Sequence, residues 1–159
     1  MLTSRIRGFS FVELIASLAI LGMLLGMAVP VGQTMLQRHR ETELRRSLAE
    51  IRLAIDRYKR ATETGKVPVK AGDSGYPPDL QVLVDGVTDA SSPTGATLYF
   101  LRRIPRDPFH RGTDGDPAAG WGLRSYASSA DDPQPGEDVF DVYSQSRDKG
   151  LNEVPYARW

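Results

Sequence analysis

The sequence predicts an α+β protein: a long N-terminal α-helix, membrane-spanning in its first half, packed on a small C-terminal antiparallel β-sheet. Three observations predict it. No Asp, Glu, Lys or Arg interrupts the run from Leu14 to Gln37, long enough to cross a hydrocarbon core of roughly 30 Å at about 1.5 Å per residue. Directly after it, Leu44, Leu48, Ile51, Ile55 and Tyr58 recur at steps of four, three, four and three, which puts them on one face of an amphipathic helix. Much later, residues 122–128 and 139–144 have strand character, with Val139, Asp141 and Tyr143 opposite Phe140 and Val142. The polar loop 131–136 between them is long enough to close a hairpin.

The totals suit one modest globular core beside the apolar N-terminus: 159 residues, 40% hydrophobic and 25% charged. Formal net charge is zero, and nothing in that balance calls for nucleic acid as a partner. The charges are unevenly spread, however. Residues 1–70 hold 12 Lys/Arg against 6 Asp/Glu, and residues 71–159 hold 8 against 14, so the two ends suit different neighbours. The absence of cysteine excludes disulfides, thiolate metal sites and a Cys nucleophile.

Glu13 is the anomaly of the apolar run. A cleaved secretory signal accounts for Arg5 and Arg7 and for the small residues Gly26 and Ala28, and a plain membrane anchor accounts for the length. Neither accounts for a carboxylate, since insertion scales charge an Asp about +2.5 to +3.5 kcal/mol at a helix centre and less toward an end. An ionisable residue at membrane depth asks for a partner. Cleavage between Gly8 and Phe9 would supply one, because Phe9 would then carry an α-ammonium four residues before Glu13. In one subunit the helix N-terminus already favours the anion. In an assembly, the Phe9 ammonium of one copy could meet Glu13 of the next, neutralising both charges and fixing their register.

The basic leader, Gly8, Phe9, Glu13 as fifth residue of the cleaved chain and Pro30 as its twenty-second resemble the class III leader of type IV pilins and type II secretion pseudopilins. The resemblance implies a type IV pilin-like fold, cleavage by a prepilin peptidase after Gly8, N-methylation of Phe9, and a helical filament with Glu13 in the role just argued. It also places Arg5 and Arg7 in the cytoplasm. The positive-inside count alone argues for the opposite orientation, since Arg38, Arg40, Arg45 and Arg46 follow the span. The boundaries expected are a leader over 1–8, a transmembrane and filament-core helix over 9–33, its amphipathic continuation over 34–63, and a periplasmic globular domain over 64–159.

Within the helix, Gly22 and Gly26 form a small-xxx-small pair that lets backbones approach. Pro30 removes the amide that would bond the Gly26 carbonyl, so the helix is expected to loosen there. These residues, with Phe9 and Glu13, are the expected assembly determinants. Arg38, Arg45, Arg52 and Lys59 repeat every seven residues on another face, readable either as a contact with acidic surfaces of adjacent subunits or as a solvated face. Glu41 and Arg45 form a favourable i, i+4 pair. Gly65 and Pro68 end the helix.

In the globular half, residues 66–75 read as a loop. Residues 76–83 read as a short helix entered through Pro77 and Pro78, with Leu80 and Leu83 or Val84 inward. Residues 89–95 form a turn-rich connector, and the two prolines in residues 102–109 exclude a central strand. Tyr156 and Trp159 anchor the last segment. The segments "YP", "IPRDPF", "WGLRSY" and "FDVYSQSRDKG" and the last Trp are similar, in the same order, to the major pseudopilin of type II secretion. Pilins of the type IV pilus usually carry a Cys pair, which this chain lacks. Loops 64–75 and 110–120 are longer than that family's core needs, so a relative in a variant secretion system is equally open.

That resemblance implies a calcium-binding loop after the last strand. Asp148 matches the family's ligand by position, with Gln145, Asn152 and Glu153 as further oxygen donors; Arg147 and Lys149 flank it, and Asn152-Glu153 replaces the family's acidic pair. A metal-free loop capped by Asp148 and Asn152 is the other reading. His39 and His110 have no triad spacing, and no phosphate loop or H-E-x-x-H occurs, so no catalysis is expected. The function implied is that of a structural subunit in a type II secretion pseudopilus. It would be a single-pass bacterial inner-membrane protein whose C-terminal domain lies in the periplasm and whose polymerisation drives protein export. Its partners would be its own copies, the prepilin peptidase, minor pseudopilins, the inner-membrane assembly platform and the lipid bilayer. A type IV pilin or minor pseudopilin is the near alternative, and a monomeric periplasmic binding domain on an uncleaved anchor the distant one.

Overall fold

The computed structural model describes residues 10–112 and 115–159, with the side chains of 25–31 left out. The chain divides into two compact units, one running to His39 and the other Arg40–Trp159, and helix α1 (Phe11–Glu63) contributes to both. From Phe11 to Leu24 the helix of the first unit exposes apolar side chains interrupted by Glu13 and Ser17: Phe11, Leu14, Ile15, Leu18, Leu21 and Leu24 are all at least half exposed. A helix of that kind needs surroundings that the unit itself does not provide.

The second unit forms around the amphipathic part of α1. Leu44, Leu48, Ile51, Ile55 and Tyr58 are all buried, as their spacing requires, and they pack with Leu83, Trp121, Val139, Val142 and Tyr156 into one core. The helix stops at Glu63, and Gly65 adopts φ +73°, a conformation that other residues rarely take. Helix α2 (Gln81–Asp85) starts later than the 76–83 expected, past the proline pair instead of through it, and its Val82 amide donates to the Asp79 carboxylate at 2.8 Å. Leu80 and Leu83 face inward. At Gly86 the chain turns with φ +79°, and a Cβ there would lie 2.7 Å from Thr97 Cγ2 and 2.9 Å from the Leu98 carbonyl.

The strands form two separate two-stranded antiparallel sheets instead of one. β1 (Val87–Thr88) pairs with β2 (Thr97–Leu98), joined by the connector over 89–95. β3 (Trp121–Arg124) pairs with β4 (Asp141–Ser144) in the register Trp121 to Ser144, Leu123 to Val142. Both strands of the second pair are shorter than expected. After Arg124 the chain curls into a turn, the Ser128 amide bonding the Ser125 carbonyl at 3.1 Å, and before Asp141 the Val139 amide bonds Pro77 instead of a strand partner. Residues 102–109 contain no strand, in keeping with their prolines. A 3₁₀ turn at Pro117–Gly120, begun by the Asp116 side chain accepting the Ala118 amide, lies in what the sequence shows only as loop.

Arg52 ties α1 to the β3–β4 sheet. Its Nε donates to Asp141 Oδ1 at 2.7 Å, Nη1 to the Trp159 carbonyl at 3.0 Å and Nη2 to the Val142 carbonyl at 3.1 Å. The Arg52 side chain is 38% exposed, so solvent screens part of the gain, and Arg124 keeps Asp141 partly paired at 3.3 Å. Arg52→Met is therefore expected to lower unfolding free energy by about 1–2 kcal/mol. Denaturant midpoints of the two proteins measure it; equal midpoints refute the tie.

Candidate functional site

Two regions carry the expected site residues. In the first unit, Glu13 stands in the first turn of α1, the end where an anion is favoured by the unsatisfied amides. It is exposed, as are its apolar neighbours, and its carbonyl accepts the Ser17 hydroxyl at 2.7 Å. Gly22 is exposed too, and a Cβ built on it meets nothing within 4 Å, so its surface is open to another backbone. Gly8 and Phe9 lie outside the described residues, and of Gly26 and Pro30 only their place within α1 is described. Among the described residues no helix is long and apolar enough to cross a membrane. The span expected over 9–33 includes Phe9 and the side chains of 25–31, outside that description.

The second region is the loop after β4. Asp148 is exposed, its Oδ2 3.3 Å from Arg111 Nη2. Gln145 turns its amide nitrogen to the Trp121 carbonyl at 2.9 Å. Asn152 Oδ1 accepts the Val154 amide at 3.2 Å. Glu153 is exposed and sits at φ 61°. Calcium asks for about six to eight converging oxygens. Among the described residues no group of three His, Cys, Asp or Glu side chains could hold a metal. With one carboxylate facing a guanidinium and one amide oxygen engaged by the backbone, this donor set does not fit the ion as arranged.

What does hold the loop is a residue that helix periodicity misassigned. Glu41, 7% exposed, accepts the Leu151 amide at 2.7 Å and the Tyr156 hydroxyl at 3.1 Å. Arg45, its expected i, i+4 partner, lies instead over the Trp159 ring at 4.4 Å. Tyr156 stacks on Phe109 at 4.0 Å and meets Trp159 edge-on at 5.0 Å. The loop closes on itself through Gly150 N to the Val154 carbonyl, Glu153 N to the Gly150 carbonyl and Tyr156 N to the Asp148 carbonyl, at 2.9 to 3.1 Å. Gly150 is needed there because a Cβ would lie 2.4 Å from Trp159 Cζ2.

The basic stripe turns out to serve the chain's own domain. Arg45 and Arg52 engage the residues just named, and Lys59 donates to the Ser74 carbonyl at 2.9 Å and lies 5.2 Å above the Tyr76 ring. All three thus have partners within their own domain, while Arg45 stays exposed. Beside Lys59 opens a cleft of about 1060 Å³ lined by Tyr58, Tyr76, Tyr126, Lys70, Asp132 and Asp138 among others. Burial pushes the Asp138 carboxyl up, but hydrogen bonds from Ser74, the Tyr126 amide and Ser125 outweigh it and hold the group below the usual carboxylate range. Asp138 therefore stays anionic at neutral pH. No spacing in the sequence announces this cleft, since its walls come from α1 and from two loops far apart in the sequence, within 68–78 and 125–138.

Residues 3–29 match the family model described as the prokaryotic N-terminal methylation motif. No curated protein and no solved structure matches the chain. Proteins of the pilin-like kind that carry this motif are processed by prepilin peptidase and polymerise. The motif supports the type IV pilin-like superfamily, whose members are structural proteins and generally not enzymes.

Proposed function

We propose that the chain is a structural subunit of a type II secretion pseudopilus. It is cleaved after Gly8, methylated on the Phe9 amine and held in the inner membrane by residues 9–33. Residues 64–159 then lie in the periplasm, and the subunits polymerise to drive export. The observation that carries this reading is the N-terminal methylation motif over residues 3–29. The exposed apolar surface of the first unit supports it, because lipid or the helices of other copies would cover what the unit leaves open. Glu13 then exchanges one neighbour for another: the helix N-terminus in the membrane, the ammonium of an adjacent copy in the filament.

Intact mass of the protein extracted from membranes tests the reading. The expected mass lacks residues 1–8 and carries one added methyl group. Gly8→Arg should abolish both changes, since the peptidase must approach the backbone beside residue 8 and only a small side chain leaves room. An uncleaved wild-type mass would turn the reading toward a binding domain on a plain anchor. Cleaved subunits that form long surface fibres would turn it toward a type IV pilin.

A further inference from the structure

A calcium loop presents oxygens to a cation. The loop from Asp148 to Tyr156 does the reverse: it presents an N–H, from Leu151, and an O–H, from Tyr156, to one oxygen of a buried anion on α1. Its Asp148 carboxylate, the oxygen donor expected to lead a calcium site, is turned outward against Arg111. We propose that Glu41 is the ordering centre of this loop, in the role the pseudopilin resemblance gives to calcium, and that the loop folds without the ion.

The argument rests on what burial demands. A carboxylate 7% exposed is tolerated only with hydrogen-bond donors in place, and the Leu151 amide and Tyr156 hydroxyl come from a segment more than a hundred residues away along the chain. The dependence is mutual. Without Glu41 the Leu151 amide would lose its acceptor inside the turn closed by Gly150 and Val154. The Tyr156 ring that carries the second donor is itself held, stacked on Phe109 and edge-on to Trp159. Arg111 pairs with Asp148, supplying positive charge beside a carboxylate that a divalent ion would otherwise neutralise.

Hydrogen exchange of the full chain in detergent micelles, after exhaustive treatment with EDTA, tests this without reference to cleavage or filaments. Amides of residues 148–156 should be protected in EDTA, and millimolar calcium chloride should leave their rates unchanged. Glu41→Ala should speed exchange at Leu151 by about tenfold or more, Tyr156→Phe by less, and Glu41→Gln, which keeps an acceptor, least of all. Protection at residues 44–58 reports that a variant is still folded. Should Glu41→Ala fail to fold, the wild-type arms and Tyr156→Phe still decide. Wild-type loop amides that exchange freely in EDTA and become protected with calcium would overturn the proposal, and so would loop protection indifferent to Glu41→Ala or to Tyr156→Phe.

Discussion

Glu13→Val should be cleaved and inserted as wild type and should form almost no filament. Removing the charge favours the helix in lipid, so nothing before assembly suffers. In the assembled state of the proposed pseudopilus the Phe9 ammonium of the adjacent copy loses its counter-ion. Breaking a desolvated pair by removing one partner costs about 3–5 kcal/mol, which at 1.4 kcal/mol per decade is about a hundredfold or more in each subunit's addition. Sheared filament measured against membrane-retained subunit gives the result. Filament at wild-type yield would show that Glu13 does not set register, and an uncleaved product would show that it acts on the peptidase instead.

The largest effect on stability should come from Asp107→Ala. This carboxylate, 5% exposed, accepts the Phe109 amide at 2.8 Å and the hydroxyl of Ser144, itself wholly buried, at 2.5 Å. The Ser144 oxygen in turn accepts the Ser146 amide at 3.1 Å. Prolines at 105 and 108 deny this segment a strand partner, so a side chain supplies what a ladder would have supplied. Alanine strands a half-buried amide and a buried hydroxyl together, at about 2–4 kcal/mol. Equilibrium denaturation should show a lower midpoint with an unchanged slope. A midpoint within error of wild type would mean that water replaces the carboxylate, and Asp107→Asn, which keeps one acceptor, should fall between the two.

Legibility in the sequence followed the range of the interaction. The buried face of α1 is written in the steps from Leu44 to Tyr58 because periodicity within one helix is local. The end of α1 and the exclusion of a strand over 102–109 are equally local, set by Gly65, Pro105 and Pro108, whereas the helix expected over 76–83 forms only at Gln81–Asp85, past the proline pair. The β1–β2 pair escaped notice because two residues per strand show no alternation. Side-chain partners escaped for a different reason. A seven-residue repeat of basic residues says that Arg45, Arg52 and Lys59 share a face, and says nothing about Trp159, Asp141 or Ser74 arriving there. Helix spacing likewise pairs Glu41 with Arg45 and says nothing about Leu151 or Tyr156. Of the processing residues, Gly8 and Phe9 are legible as a motif alone, while Glu13 and Gly22 are also seen exposed on α1.

The contacts that close the second unit span nearly all of it: Glu41 reaches Leu151 and Tyr156 across 110 and 115 positions, and Arg52 reaches Trp159 across 107. A chain is made N-terminus first, so the residues that satisfy the head of this unit appear more than a hundred positions after it. Until they do, Glu41 lacks the Leu151 amide and the Tyr156 hydroxyl, and the core around Leu44, Leu48 and Ile51 lacks Tyr156. Closing so long a loop carries an entropic cost before any contact rewards it, and folds dominated by such distant pairs form slowly. The newly made chain thus passes through a stage in which a finished amphipathic helix waits, apolar face bare, for residues 148–159.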